Sequence, residues 1–159
     1  LISFDIDETL TPEISWTGLT HAMGASVDEH LFIYSELKKG ALTYIDAKMQ
    51  LLEIWSQTGN ANKKFMRELF EKWYMHKEAF EIMNYLKKKN YLICIISGGV
   101  DLYVKTIADR LGIKNYFSNT ELVWDSDNEL LDFHYETDQA TKKLKQFQKP
   151  VSKFALLHV

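Results

Sequence analysis

Apolar and polar positions follow two different periods along this chain. Residues 1–4 form a short apolar run that stops abruptly at Asp5-Ile6-Asp7-Glu8-Thr9, the pattern of a buried strand whose C-terminal end opens into a polar loop. From about Ile14 to Met75 the spacing becomes helical and predicts no strand. Leu31, Tyr34, Leu37 and Leu42 recur at helical intervals, as do Ala47, Leu51, Ile54 and Trp55, then Phe65, Leu69, Phe70 and Trp73. Gly40 and Thr58-Gly59-Asn60 break the run, so a small helical bundle is predicted after the first strand.

The second half alternates. A helix is predicted over 78–89, with Phe80, Met83, Tyr85 and Leu86 as its apolar stripe and Lys87, Lys88 and Lys89 at its negative pole. Residues 91–96 are continuously apolar, as in a strand buried on both faces of a parallel sheet. They end in Ser97-Gly98-Gly99, and a helix over 101–111 stops at Gly112. Residues 121–124 and 130–135 flank Asp125-Ser126-Asp127-Asn128, a hairpin signal. Asp138 caps a further helix expected to run through Gln148, and 153–159 reads as a last strand. The alternation predicts an α/β fold with a parallel sheet, an inserted helical bundle and a small β-hairpin. The chain opens inside one apolar run and closes on another, so both ends are expected to be clipped, the core being truncated after its fourth strand.

Composition narrows the class. The 159 residues suit one domain or a core with a modest insertion, and 46% apolar with 26% charged residues describes a globular chain. A net charge of −3 gives no reason to expect nucleic acid as partner. No apolar stretch is long enough to span a membrane, and no signal peptide is visible. Cys94 stands alone in an apolar run, which excludes a disulfide framework, favours a buried small side chain, and makes the cytoplasm the expected compartment. His21, His30, His76, His134 and His158 lack metal-ligand spacing. Trp16, Trp55, Trp73 and Trp124 are mostly expected in packing.

The candidate chemistry lies at the predicted strand ends, where the loops of an α/β sheet meet in a crevice. Asp5 and Asp7 are two residues apart and face the same way on an extended backbone. Two carboxylates that close divide in role, one ionised and able to attack phosphorus, the other able to carry a proton to a leaving oxygen. The pair would also attract a hard cation. Alone, such a pair would favour a plain polar turn with Asp residues capping the next helix. Thr9 offers a hydroxyl to a phosphate or to the loop. Ser97-Gly98-Gly99, between a buried strand and a helix N-terminus, is a candidate phosphate cradle. Lys142 and Lys143 stand near the start of the next helix, where an ammonium could neutralise a phosphoryl group.

In this order, the features resemble the haloacid-dehalogenase superfamily. Phe4-Asp5-Ile6-Asp7-Glu8-Thr9-Leu10-Thr11 matches its first motif and Ile95-Ile96-Ser97-Gly98-Gly99 its second. The helical insertion looks like the cap of the phosphoserine-phosphatase-like branch, and Gly112-Ile113-Lys114-Asn115-Tyr116-Phe117 also fits. The resemblance implies a Rossmann-like core formed by 1–13 and 77–159, with a helical cap over 14–76. It implies a Mg²⁺-dependent phosphatase acting on a small phosphorylated metabolite. Asp5 would be nucleophile and metal ligand. Asp7 would be general acid/base, its carbonyl also on the metal. Thr9, Ser97, Gly98 and Lys142 would hold the phosphate, Lys143 being the other candidate lysine. Glu13 lies near the position where phosphoserine phosphatases hold an amino group. Where they place an arginine for the substrate carboxylate, this cap reads Met49-Gln50-Leu51-Leu52. The family's fourth, acidic motif would begin after Val159. A phospho-ligand binder without turnover and a phosphotransferase are the other readings.

Overall fold

A computed structural model describes residues 1–156, with side chains through 150. The first apolar run is β1 (Ile2–Phe4), and the continuous one is β2 (Ile93–Val100). They pair in parallel, with Ile2, Ser3 and Phe4 opposite Ile93, Cys94 and Ile95. β3 (Asn115–Trp124) pairs in parallel with β2 and then antiparallel with β4 (Leu130–Tyr135), giving one sheet in the order β1-β2-β3-β4. The predicted hairpin is therefore the outer part of a longer strand. Its inner part, 115–120, is core strand that the apolar pattern did not mark, because its side chains are mostly half-buried.

Four helices follow β1: α1 (Ser15–Met23), α2 (Val27–Lys39), α3 (Tyr44–Ser56) and α4 (Lys63–Glu71). Ser26, Thr43 and Asn62 cap α2, α3 and α4, each side chain accepting a backbone N–H three residues on. Then come α5 (Lys77–Lys88) and α6 (Asp101–Leu111), the latter ended by Gly112 at φ 63°, where a side chain would be strained. One buried cluster joins Leu19, Met23, Leu51, Trp55, Met66, Phe70 and Trp73 to Ile95, Val100, Tyr103 and Ile107. The helical layer and the sheet thus share a single core.

Two predicted stripes differ in phase from the observed ones, that of α5 only in part, since its Met83 is buried and its Leu86 packs against the core. In α2 the buried residues are His30 and Ile33, while Leu31 and Tyr34 are exposed. In α5 Ala79 and Met83 are buried, and Phe80 and Tyr85 face outward. The last helix, α7 (Gln139–Leu156), starts after Asp138, whose carboxylate accepts the Thr141 N–H at 3.1 Å. It runs past Gln148 and across Pro150, so the strand predicted over 153–159 is corrected: 153–156 are helical, and 157–159 lie outside the described residues. A short apolar run does not distinguish the two states, and an interior proline weakens a helix without always ending it.

His30 is buried because it finds partners. Its Nδ1 lies 2.6 Å from the Thr20 hydroxyl, which also accepts the Trp55 indole N–H at 2.9 Å. Burial pushes its pKa from 6.5 down to about 4, so the neutral ring is the one the fold accommodates. The unfolded chain binds this proton more readily. The contribution is therefore complete above pH 6.5 and lost as pH falls toward 4, by up to roughly 3 kcal/mol. Denaturant unfolding across this range should show the decline in the native protein and a clearly flatter profile in His30→Gln.

Candidate active site

The sheet register assembles the site. With Phe4 opposite Ile95, the chain leaves β1 at Asp5 beside Ile96 and next to Ser97. Beyond Asp5 it turns tightly, the Thr9, Leu10 and Thr11 amides all donating to the Ile6 carbonyl. Asp5 is half-buried; its Oδ1 accepts the Ile6 N–H at 2.8 Å and its Oδ2 is bonded by the Lys143 ammonium. The register of α7 selects that lysine. Gln139, in the first turn, sits against Gly98, and four residues later the same face carries Lys143. Lys142, the lysine the sequence register favoured, lies instead near Glu136 at 3.9 Å.

Asp7 occupies a drier place than Asp5. Its Oδ2 accepts the Ser15 hydroxyl at 2.8 Å, and its Oδ1 is buried with no hydrogen-bond partner. Burial raises its pKa; hydrogen bonds from Ser15 and Tyr103 oppose the rise, and the Asp5 charge adds to it. The environment thus favours a proton on Asp7. The Tyr103 hydroxyl also lies 3.2 Å from the Thr11 hydroxyl, and burial together with the Asp7 charge keeps the phenol neutral.

Ser97 is buried and its Oγ accepts the Gly99 N–H at 3.2 Å, leaving the hydroxyl a proton to donate. The Gly98 carbonyl is held by Thr120 Oγ1 at 3.1 Å and the Trp16 indole at 3.4 Å. Gly99 is needed for space, and Gly98 lies close under the Gln139 side chain. A Cβ at Gly98 would lie 3.2 Å from Gln139 Oε1, and one at Gly99 would lie 2.9 Å from the Tyr103 ring.

Thr9 and Glu13 are not brought to Asp5 by any hydrogen bond or ion pair among the described residues. Thr9 is exposed and lines a separate hollow with Phe4, Leu10 and His76. Glu13 is exposed, its carboxylate beside Gly18. Of the 49–52 segment, Met49 is exposed and Leu51 buried. The pattern also missed residues that do meet here. Ser15 stands at a helix start and reads as a cap, and Tyr103 falls in the apolar stripe of α6. Gln139 carried no signal. Cys94 is buried, its thiol pushed up to about 11, as expected of a packing residue. No described helix is long and apolar enough to cross a membrane.

Residues 2–151 match the family model of the haloacid dehalogenase-like hydrolases, and the chain belongs to that family. It is 28% identical over 124 residues to a phosphoserine phosphatase of Drosophila melanogaster, an alignment covering 77% of this chain and 45% of that protein. A family hydrolase from Salmonella enterica serovar Typhi superposes with a TM-score of 0.78 at 18% identity, over 96% of this chain and 51% of the other. A substrate-bound phosphoserine phosphatase superposes with a TM-score of 0.67 at 21% identity, over 94% of this chain and 70% of the other. At such identities the superpositions establish the fold. The chain spans about half the length of the first relatives it matches.

The lysine register has a direct test. Lys143→Ala should weaken inorganic phosphate binding, measured by calorimetry, by about tenfold or more, the size of a lost charge-assisted hydrogen bond. Lys142→Ala should leave it within about twofold. The reverse pattern would return the role to Lys142.

Proposed function

We propose that the protein is a Mg²⁺-dependent phosphatase that hydrolyses a small phosphate monoester through an aspartyl-phosphate on Asp5. The observation that carries this reading is the division of the carboxylate pair. Asp5 is half-exposed and pairs with Lys143, whereas Asp7 is held in a drier pocket that favours its protonated form. That is the division a nucleophile and a general acid require.

An Asp5 oxygen attacks phosphorus while the ester P–O bond breaks, and Asp7 delivers its proton to the departing oxygen. Asp7 then takes a proton from water as the water oxygen attacks phosphorus, and the bond to Asp5 breaks to release phosphate. Lys143, the Ser97 hydroxyl and the Gly98 amide hold the phosphoryl oxygens, and Lys143 also tempers repulsion between phosphate and Asp5.

The donor chemistry fits Mg²⁺, which binds through one or two carboxylates and keeps its other positions for water and phosphate. Asp5 and the Asp7 carbonyl would hold it, and it would supply charge neutralisation at the phosphate. Among the described residues, no three acidic, histidine or cysteine side chains gather as a complete metal cluster.

Helices α1–α4, within residues 14–76, act as the cap over a core of 1–13 and 77–159. Substrate is assigned to the class of small phosphorylated metabolites. Support for a phosphoserine-like compound comes from the Drosophila relative and the substrate-bound phosphatase, as those proteins are described. Where an arginine would be expected, Leu51 is core; the cap's Arg67 is exposed on α4, and the Arg110 guanidinium of α6 is turned to the Phe70 and Trp73 carbonyls.

With Mg²⁺ present, Asp5→Asn in the full-length protein should lower hydrolysis of a generic aryl phosphate by more than about a thousandfold. Wild-type protein quenched during turnover should carry one phosphoryl group by mass spectrometry, on the peptide holding Asp5. Retained turnover in Asp5→Asn would sink the proposal.

A further inference from the structure

The orphaned oxygen of Asp7 sets the starting point. A buried carboxylate oxygen without a partner is costly unless something arrives to meet it. The other oxygen of the same group is fixed. Ser15 Oγ donates to Oδ2 at 2.8 Å, and the Tyr103 hydroxyl, 3.2 Å from that of Thr11, lies near enough to the carboxyl to interact with it. Thr11 is tied to the turn, its hydroxyl lying within 3.3 Å of both the Ile6 and Glu13 carbonyls. Ser15, Thr11 and Tyr103 are all buried. Gly99 closes the arrangement, since a Cβ there would sit 2.9 Å from the Tyr103 ring and 3.2 Å from Ser15 Oγ.

We infer that Ser15 and Tyr103 are positioning residues that clamp the Asp7 carboxyl by one side and so leave Oδ1 as the oxygen that meets the leaving group. The inference rests on the phosphatase reading above. Neither residue touches substrate. A carboxyl free to rotate about its terminal bond would present either oxygen, and proton delivery depends on alignment within hydrogen-bond reach. The bond made is O–H on the leaving oxygen, the bond broken is its link to phosphorus, and the proton comes from Asp7.

This role predicts a dependence on the leaving group that general destabilisation would not produce. An alkyl phosphate needs the proton; 4-nitrophenyl phosphate leaves as a stable phenolate and hardly does. In Ser15→Ala and Tyr103→Phe, kcat/KM for the alkyl ester should fall by about tenfold to a hundredfold. For 4-nitrophenyl phosphate kcat/KM, which reports the step in which the leaving group departs, should change by less than about threefold. Equal losses on the two substrates would overturn the inference. Asp7→Asn should give the same selectivity in stronger form. A crystal structure of the Ser15→Ala/Tyr103→Phe double variant supplies a readout that needs no turnover. The Asp7 carboxyl should rotate or occupy two orientations, and an unchanged carboxyl would overturn the clamp. Absence of turnover in the wild type would count against the phosphatase reading alone, since the crystallographic comparison still decides the clamp.

Discussion

Everything at the candidate site depends on the register of β1 against β2, which sets Phe4 opposite Ile95 and so Asp5 beside Ile96. β1 has only three residues, too few to hold a position alone, and it is fixed by parallel pairing with an eight-residue strand whose side chains are almost wholly buried. A slip of one residue would turn the faces of β1 over, exposing apolar side chains and moving Asp5 away from Ser97. The burial that stabilises β2 therefore also sets the alignment of two loops far apart in sequence. Register is a folding property here before it is a chemical one.

Above that floor, the helical layer is attached at both ends. Ser15 begins α1 and bonds Asp7, while Phe70 and Trp73 pack on the Tyr103 ring with centroids 5.1 and 5.5 Å apart. Arg110 of α6 closes the same seam by donating to the Phe70 and Trp73 carbonyls at 3.1 and 2.6 Å. Trp16, also on α1, reaches the Gly98 carbonyl and stacks against Trp55 at 5.9 Å. A displacement of α1 would break contacts to both candidate motifs at once. Packing and chemistry are carried by the same side chains.

The parts legible in the sequence were those written as long patterns or compact motifs. Residues 101–111 were predicted as a helix ended by Gly112, and α6 has those limits, because a full apolar stripe and a left-handed glycine agree. Asp5 could be placed because it directly follows the strand that the first hydrophobic run defines, whereas β2 continues past its apolar run through Ser97-Gly98-Gly99 to Val100. The inner part of β3 was missed because its faces are half-buried and show no clean alternation. Phase errors in α2 and α5 arose where tertiary partners outweighed hydropathy: His30 is buried on Thr20, while Phe80 and Tyr85 point outward. The choice between Lys142 and Lys143 was beyond any local signal. It depends on where α7 begins, and that start is fixed by Gln139 meeting Gly98 and Asn119.

The two carboxylates show why a motif alone does not assign roles. Asp5 and Asp7 are chemically identical and two positions apart, yet the fold gives them different surroundings. Asp5 emerges from the strand into a half-exposed crevice, where it accepts the Ile6 N–H and pairs with the Lys143 ammonium. Asp7 lies one step further into the turn, against α1 and Tyr103, where burial outweighs the hydrogen bonds it receives. Giving each carboxylate the other's surroundings would require opening the Ser15 contact to Asp7 and moving the Lys143 ammonium away from Asp5. The difference is made by residues outside the motif, and Ser15, Tyr103 and Lys143 are the ones that make it.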